Sequence, residues 1–250
     1  MNALWSETRV KVIHRLAMHV QVERFQLRNA IPMVTFTFDD LARSAATIGA
    51  DVLESYGARG TFYVSGGLVG LDAPDWATGS ADDVISLHRR GHEIGCHTFS
   101  HRRACDLDEM ALAQEIMRNR TYLHSLDPLM SIETFAYPFG YGSYARKHQL
   151  KSEFRTCRSI MPGVNSGEAD LQFLRAIPLI DRQMSRMRID QAFDEALRAN
   201  GWLIFYSHDV ADQPSLYGCS PELMTYALEA AARRNIPVLT MAEAFRCARA

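Results

Sequence analysis

Residues 31–38 read IPMVTFTF and are followed at once by Asp39 and Asp40. A short run rich in β-branched and aromatic side chains predicts a β-strand. In parallel α/β proteins, functional side chains lie just beyond the carboxyl ends of the strands. This stretch therefore predicts a first strand that ends in two candidate functional carboxylates.

A short β-rich run followed by a helix-like run recurs along the whole chain. We predict further strands at residues 60–65, 92–96, 133–137, 155–160, 174–180, 201–207 and 237–240. Predicted helices cover residues 42–56, 80–90, 108–126, 189–199 and 221–235. Alternation of this kind predicts an α/β protein with a parallel sheet, either open or closed into a barrel.

The amino-terminal segment differs from this pattern. Residues 6–25 predict an added helix that packs on the domain or on a second copy of the chain, with an apolar side made of Val12, Ile13, Leu16, Ala17 and Val20. Since 250 residues suit one α/β barrel, we expect one domain. We place a helical extension at residues 1–30 and the α/β domain at residues 31–250.

Composition excludes several classes of partner. The 27 lysines and arginines nearly balance the 29 aspartates and glutamates, so nothing predicts binding to nucleic acid or to an anionic membrane. No apolar run approaches the roughly 18 residues of a membrane span, and the amino terminus lacks the apolar core of a secretory signal. The five scattered cysteines fit reduced thiols. We therefore expect a cytoplasmic location.

Three predicted strand ends carry residues that bind metals or transfer protons. The first carries Asp39 and Asp40, the strand at 92–96 is followed by His97 and His101, and the strand at 201–207 is followed by His208. Each group alone has a plainer explanation, such as a solvated turn or surface histidines. Their occurrence together at strand ends of one α/β fold favours a single functional site.

The spacing of these residues has a chemical rationale. Histidines four residues apart on a helical turn can reach one ion, and neighbouring aspartates diverge, so that one binds metal while the other stays free. Two imidazoles and a carboxylate suit Zn²⁺ or a similar divalent ion. The free carboxylate would then act as a base and a histidine on the far side as an acid. The residues alone predict metal-assisted acyl hydrolysis.

The sequence resembles the NodB-homology polysaccharide deacetylases, which form carbohydrate esterase family 4. The resemblance spans about residues 31–245 and rests mainly on TFDD at 37–40, HTFSH at 97–101, FAYPFG at 135–140 and YSHD at 206–209. It implies a distorted, TIM-like (β/α)7 barrel. It also implies removal of an N-acetyl or similar small acyl group from an amino sugar in an oligosaccharide or polysaccharide precursor.

The resemblance also implies roles for individual residues. Asp39 matches the general base and His208 the general acid, while the metal ligands would be Asp40, His97 and His101. Thr98 would brace the loop between the histidines. The backbone N–H of Phe139 would stabilise the oxyanion, and Tyr137 and Tyr206 would line the substrate site. The implied cofactor is a divalent ion, most simply Zn²⁺, with Co²⁺, Ni²⁺ or Mn²⁺ as alternatives.

The chain departs from the family pattern at two supporting positions. Many members pair the catalytic base with an arginine at the position of Ala136, for which Arg175 is a candidate replacement. For the carboxylate that orients the acid histidine in the family, Asp181 is the nearest candidate. Arg102 and Arg103 could contact an anionic group on the substrate or form a solvated loop pair.

Other functions remain open at this point. A cyclic imide or ureide hydrolase of the same family is one alternative, although such relatives often lack part of the metal triad. A catalytically silent glycan-binding relative is another, suggested by the missing arginine. A non-haem iron oxygenase also uses two histidines and a carboxylate, but its usual all-β scaffold conflicts with the strand–helix alternation.

Overall fold

Seven parallel strands form one curled sheet at the centre of the structure. The structure is a computed structural model that describes the backbone of residues 3–249 and the side chains of residues 11–249. The strands of the sheet are β2 (Met33–Asp39), β3 (Thr61–Val64), β4 (Glu93–Cys96), β5 (Thr134–Ala136), β6 (Thr156–Arg158), β8 (Ile177–Pro178) and β9 (Trp202–Ser207). They are arranged in the order β6-β5-β4-β3-β2-β9-β8.

One chain segment links the two edges of this sheet. Residues 171–176 run beside β6, where Cys157 N–H donates to the Leu171 carbonyl at 2.8 Å and Ser159 N–H to the Leu174 carbonyl at 2.9 Å. The chain then continues directly into β8, which pairs with β9 at the opposite edge. Only Ile177–Pro178 of the predicted strand at 174–180 forms a strand, because the chain passes here from one edge of the sheet to the other. The distorted (β/α) barrel predicted from the sequence is confirmed.

Eight α-helices accompany the strands among the described residues. They are α1 (Ala3–His19), α2 (Ala50–Ser55), α3 (Ala81–Arg89), α4 (Glu109–Leu126), α5 (Tyr144–Glu153), α6 (Arg186–Ala199), α7 (Pro221–Arg233) and α8 (Met241–Ala248). Helix α3 begins as predicted, because Ser80 and Asp83 form a reciprocal capping box. Helices α5 and α8 were not predicted. A π-helical turn, Ala45–Gly49, precedes α2.

The pleat of β2 determines which side chains enter the barrel. Val34, Phe36 and Phe38 belong to the larger core, whereas Met33 belongs to a second core with Trp202. Because side chains alternate across a strand, Asp39 lies on the Met33 side, facing the barrel interior. All seven residues of β2 are buried, so Asp39 enters a desolvated environment.

Helix α8 covers the amino-terminal end of the barrel. Met241 N–H donates to Thr61 Oγ1 at 3.0 Å, and Ala242 N–H donates to the half-buried carboxylate of Glu93 at 2.9 Å. The predicted strand at 237–240 is wrong, since these residues make only one bridge to β2 before Thr240 caps α8. This closure leaves the carboxyl ends of the strands as the accessible end.

The amino-terminal segment is less helical than predicted. Helix α1 ends at His19, and β1 (Arg24–Gln26) pairs antiparallel with β7 (Glu168–Asp170). The buried Lys147 ammonium donates to the carbonyls of Ala17 and Val20 and pairs with Asp170 at 2.5 Å. The segment therefore packs on the domain through Ala17, while Val12, Leu16 and Val20 are exposed. The domain boundary at residue 30 stays a prediction.

Two further expectations concern cysteines and membranes. All five cysteines are free thiols, as predicted. No helix within residues 3–249 combines the length and the apolar character that crossing a membrane requires.

Candidate active site

The turn after β2 presents two carboxylates in different directions. Asp39 is the last residue of the strand, whereas Asp40 and Leu41 adopt left-handed backbone conformations with φ of 63° and 51°. Consecutive non-glycine residues in this region are energetically costly and are found where surrounding structure holds them in place. The turn therefore separates Asp39, inside the barrel, from Asp40, at its mouth.

The loop after β4 brings His97 and His101 to the same mouth. Thr98 and His101 both have left-handed backbones, with φ of 59° and 52°. Thr98 Oγ1 accepts a hydrogen bond from Arg102 N–H at 3.2 Å, which closes the turn between the histidines. This contact is consistent with the bracing role that the family resemblance implies for Thr98.

Asp40, His97 and His101 converge on one point. Asp40 Oδ1 lies 3.2 Å from His101 Nε2 and 3.5 Å from His97 Nε2, and one donor atom from each residue lies within 4.8 Å of the others. His97 Nδ1 faces the Ala136 carbonyl at 2.8 Å, so this nitrogen carries the proton and Nε2 offers its lone pair. The three predicted ligands are therefore brought together.

The protonation states of these groups suit a cation. Burial lowers the pKa of His97 to about 3 and also lowers the pKa of His101, so both imidazoles are neutral. Burial raises the pKa of Asp40 to about 6 when no cation is nearby. Asp40 Oδ1 is buried and accepts no hydrogen bond among the described residues. An unpaired carboxylate oxygen beside two neutral imidazoles fits a divalent metal ion.

Glu115 on α4 supports the histidine loop and was not predicted from the sequence. Its buried carboxylate accepts hydrogen bonds from Phe99 N–H at 2.9 Å, from Ser100 N–H at 2.7 Å and from Ser100 Oγ at 3.0 Å. Leu112, Ile116 and other apolar residues share the buried side of this helix. A charged residue on that otherwise uncharged side was the available signal.

Replacing Glu115 with alanine should weaken metal binding about 10–100-fold, as expected when a residue that orients metal ligands is removed. The variant leaves the Phe99 and Ser100 amides without their acceptor, and the histidine turn loses its support. Competition with a chromophoric chelator measures the affinity. Glu115→Gln retains one oxygen acceptor and should recover most of the affinity.

Glu109→Ala, at an exposed position of the same helix, is the matched control and should bind metal like the wild type. Equal metal affinity in Glu115→Ala and the wild type would contradict the positioning role of Glu115.

Asp39 forms a buried ion pair with Arg158 on β6. Arg158 Nη2 donates to Asp39 Oδ1 at 2.5 Å, and the arginine side chain is 0% exposed. The guanidinium carbon lies 5.2 Å from the ring centre of Tyr63 and 5.4 Å from that of Tyr206. Burial alone would raise the pKa of Asp39, but the neighbouring Arg158 guanidinium outweighs burial and lowers this pKa below its usual value. Asp39 is therefore ionised at neutral pH.

The prediction that Arg175 replaces the missing arginine is wrong. Arg175 Nη1 instead donates to the Pro162 carbonyl at 2.9 Å. Arg158 on β6 is the register partner of Ala136 on β5. The arginine that pairs with Asp39 therefore comes from β6, the strand next to the one that carries Ala136. An arginine inside the otherwise uncharged run TCRSI at 156–160 was the signal for it.

His208 lies across the mouth from the histidine loop. Its Nε2 is 3.9 Å from Asp40 Oδ2, and its ring contacts Trp76 and Tyr217, with centroid distances of 5.2 and 5.6 Å. His208 Nδ1 is buried without a hydrogen-bond partner among the described residues. Two aromatic rings, rather than a carboxylate, therefore hold this imidazole.

Asp181 does not orient His208, contrary to the prediction. Its Oδ1 accepts a hydrogen bond from Ser220 N–H at 2.8 Å and lies 3.2 Å from Ser220 Oγ. Ser220 is the residue that caps α7, so Asp181 supports the start of that helix.

The three predicted substrate-binding aromatics have different surroundings. Phe139 has a left-handed backbone with φ of 58°, is 56% exposed, and lies with its ring centre 4.5 Å from that of His101. Tyr206 is half-buried beside Arg158. Tyr137 is 1% exposed and donates from its hydroxyl to the Gln172 carbonyl, so it belongs to the core and does not face the mouth.

The fold and this site define a class of protein: a parallel α/β half-barrel with two histidines and a carboxylate at its open end, beside an ionised aspartate.

The chain belongs to the polysaccharide deacetylase family, because the family model described as polysaccharide deacetylase matches residues 27–154, more than half of the length of this chain. A chitin deacetylase of Pestalotiopsis sp is 31% identical over 106 residues, which are 41% of this chain and 32% of that protein. The chain thus aligns with about a third of the length of this relative.

Solved structures share the fold over nearly the whole chain. The peptidoglycan N-acetylglucosamine deacetylase Bc1960 has a TM-score of 0.64 at 15% identity, covering 89% of this chain and 92% of its own. PdaA of Bacillus subtilis, a family 4 carbohydrate esterase, has a TM-score of 0.61 at 12% identity, covering 97% and 89% respectively. These likenesses confirm the fold.

Proposed function

We propose that this chain is a metal-dependent hydrolase that removes an N-acetyl group from an amino sugar within an oligosaccharide or polysaccharide. One observation carries the proposal: Asp40, a member of the three-residue metal-ligand set, directly follows the ionised carboxylate of Asp39 and lies 3.9 Å from the imidazole of His208. Amide hydrolysis needs a base for water and an acid for the departing amine. Family membership and the names of the relatives, which act on chitin and on peptidoglycan N-acetylglucosamine, support this substrate class.

Asp40, His97 and His101 would hold the ion. When bound there, a divalent ion supplies Lewis-acid chemistry to a carbonyl oxygen and to a water molecule. Two imidazole nitrogens and one carboxylate oxygen favour Zn²⁺, with Co²⁺, Ni²⁺ and Mn²⁺ as alternatives.

The protein side chains would divide the proton transfers. Asp39 accepts the proton of the attacking water, and the Arg158 pair keeps this carboxylate ionised and fixed in orientation. His208 donates a proton to the departing amine from the other side of Asp40. The left-handed turn at Phe139 orients its backbone N–H as a donor to the carbonyl oxygen that gains charge, and the exposed ring forms one wall of the site.

The silent glycan-binding alternative loses its main support. It depended on the absence of an arginine beside the catalytic base, and Arg158 supplies that contact from β6. A binding protein has no need for a buried, ionised Asp39.

Metal content and acetate release test the proposal together. Purified wild-type protein should hold about one divalent ion and release acetate from N-acetylglucosamine oligomers. Asp40→Asn should lose both. The control is Asp194→Asn, which changes an exposed carboxylate on α6 that pairs with Arg234. This variant should retain both the metal ion and acetate release. A wild-type protein that holds no divalent ion, or an Asp40→Asn variant as active as the control, would disprove the proposal.

Replacing His208 with alanine should lower amide hydrolysis by about 10²–10⁴-fold, the usual contribution of a general acid. The loss should shrink on p-nitrophenyl acetate, because its phenolate leaves without needing a proton. Parallel rates on the oligomer and the ester measure this difference. Equal losses on both substrates would show that His208 does not act as the acid.

The precursor substrate and the cytoplasmic location stay predictions. Rates of acetate release from oligomers of increasing length test the precursor substrate. Cell fractionation tests the cytoplasmic location.

A further inference from the structure

A cavity of about 390 Å³ opens directly beside the metal-ligand set. It is lined by His101, Arg102, Arg103, Asp106, Phe139 and Tyr141. Its volume falls in the range of small-molecule sites, roughly 300–1,000 Å³. Because His101 is both a proposed metal ligand and part of this wall, a group bound in the cavity lies next to the reacting centre.

The two arginines of this cavity differ in their partners. Arg103 Nε donates to Asp106 Oδ2 at 2.7 Å, and its guanidinium carbon lies 5.8 Å from the ring centre of Tyr141. Among the side chains of residues 11–249, Arg102 has no carboxylate within 4.0 Å. Asp106 is therefore matched by Arg103, and Arg102 contributes an unmatched positive charge.

The backbone around Arg102 is fixed by the histidine turn. Its N–H donates to Thr98 Oγ1 at 3.2 Å, and the preceding residue, His101, has the left-handed backbone that ends the turn. The position of the Arg102 Cα is thus coupled to the position of the metal ligands. The side chain of Arg102 is exposed, whereas its backbone is held by the turn.

The cavity also offers aromatic surface. Phe139 is 56% exposed, and Tyr141 forms the adjoining wall. Sites that bind small molecules combine aromatic walls with a few convergent polar groups that set specificity. A guanidinium binds a carboxylate or a phosphate through strong, charge-assisted hydrogen bonds.

We propose that this cavity is a subsite for an anionic substituent, a carboxylate or a phosphate, on the sugar unit next to the one that is deacetylated. The aromatic rings contact the sugar and Arg102 binds the anion. This proposal rests on the proposed function, since it names the substrate class of the same site. It gives a role to the unmatched guanidinium of Arg102 in the cavity beside the metal ligands.

Competing substrates test the subsite. We compare two anionic oligomers with the neutral N-acetylglucosamine oligomer of equal length. The measured quantity is kcat/KM for each anionic oligomer divided by kcat/KM for the neutral one. One arm carries a lactyl carboxylate on the neighbouring sugar and the other carries a 6-phosphate there. Wild type should favour at least one anionic arm by about tenfold, and this preference should shrink at high salt. The arm that is favoured identifies the anion.

Arg102→Met should bring the ratio close to one. Arg198→Met is the matched control, because Arg198 is an exposed arginine on α6, outside the site, and it should keep the wild-type ratio. A wild-type ratio near one, or an Arg102→Met variant that slows both substrates equally, overturns the subsite.

A failure of the proposed function is distinguishable from a failure of the subsite. If no substrate releases acetate, the proposed function has failed. Calorimetric binding of the same saccharides then tests whether the anion subsite exists. Tighter binding of the anionic saccharide to wild type than to Arg102→Met supports it. Equal binding of anionic and neutral saccharides overturns it.

Discussion

Asp39→Asn is expected to lower acetate release by about 10²–10⁴-fold, the usual contribution of a general base. An amide cannot accept the proton of water as a carboxylate does. The same change should destabilise the fold by about 3–5 kcal/mol, because it leaves the Arg158 guanidinium buried without a counter-charge. Steady-state assays and urea unfolding measure the two effects on one preparation.

The double variant Asp39→Asn/Arg158→Met separates these effects. Removing both charges should restore much of the free energy of unfolding, while the activity stays lost. An Asp39→Asn variant that remains folded and as active as the wild type would show that Asp39 is not the base. If the double variant recovers activity along with stability, the loss in the single variant came from unfolding alone.

Arg158→Met is expected to move the acid limb of the kcat/KM profile to higher pH. In the wild type, the arginine outweighs burial and lowers the pKa of Asp39. Without it, burial acts unopposed and raises that pKa, so a larger fraction of the base is protonated near neutral pH. Activity should therefore recover as pH rises, and pH–rate profiles measure the shift.

The free energy of unfolding of Arg158→Met should also depend on pH differently from that of the wild type. The wild-type pair contributes stability above the unfolded-state pKa of about 3.9, and this stability is lost as pH falls through the lower, folded-state pKa. In Arg158→Met the folded-state pKa lies above the unfolded-state value, so Asp39 opposes folding at neutral pH and ceases to do so on acidification. Arg158→Lys retains a charge and should behave in between. An unchanged acid limb in Arg158→Met would contradict the electrostatic role of Arg158.

Much of the site could be predicted because each part is local in sequence. The run before Asp39 identifies a buried strand, and the spacing of His97 and His101 places two imidazoles on one turn. Each of these signals lies within a few consecutive residues.

The parts that were not predicted depend on contacts between distant segments. Arg158 reaches Asp39 only because β6 pairs with β5 in the register that sets Arg158 opposite Ala136. Glu115 supports the histidine loop because α4 packs beneath it. Residues 237–240 resemble a strand locally, but the capping box of α8 starts a helix after one bridge. Such register and packing cannot be derived from one sequence alone.

Counting the products before and after metal removal tests whether this protein is a metal-dependent deacetylase. Wild-type protein should convert an N-acetylglucosamine oligomer to one acetate and one free amine per event. Chelation should abolish both products, and Zn²⁺ or another divalent ion should restore them together. Acetate and amine release that continues unchanged in fully chelated, metal-free protein would contradict metal-dependent deacetylation.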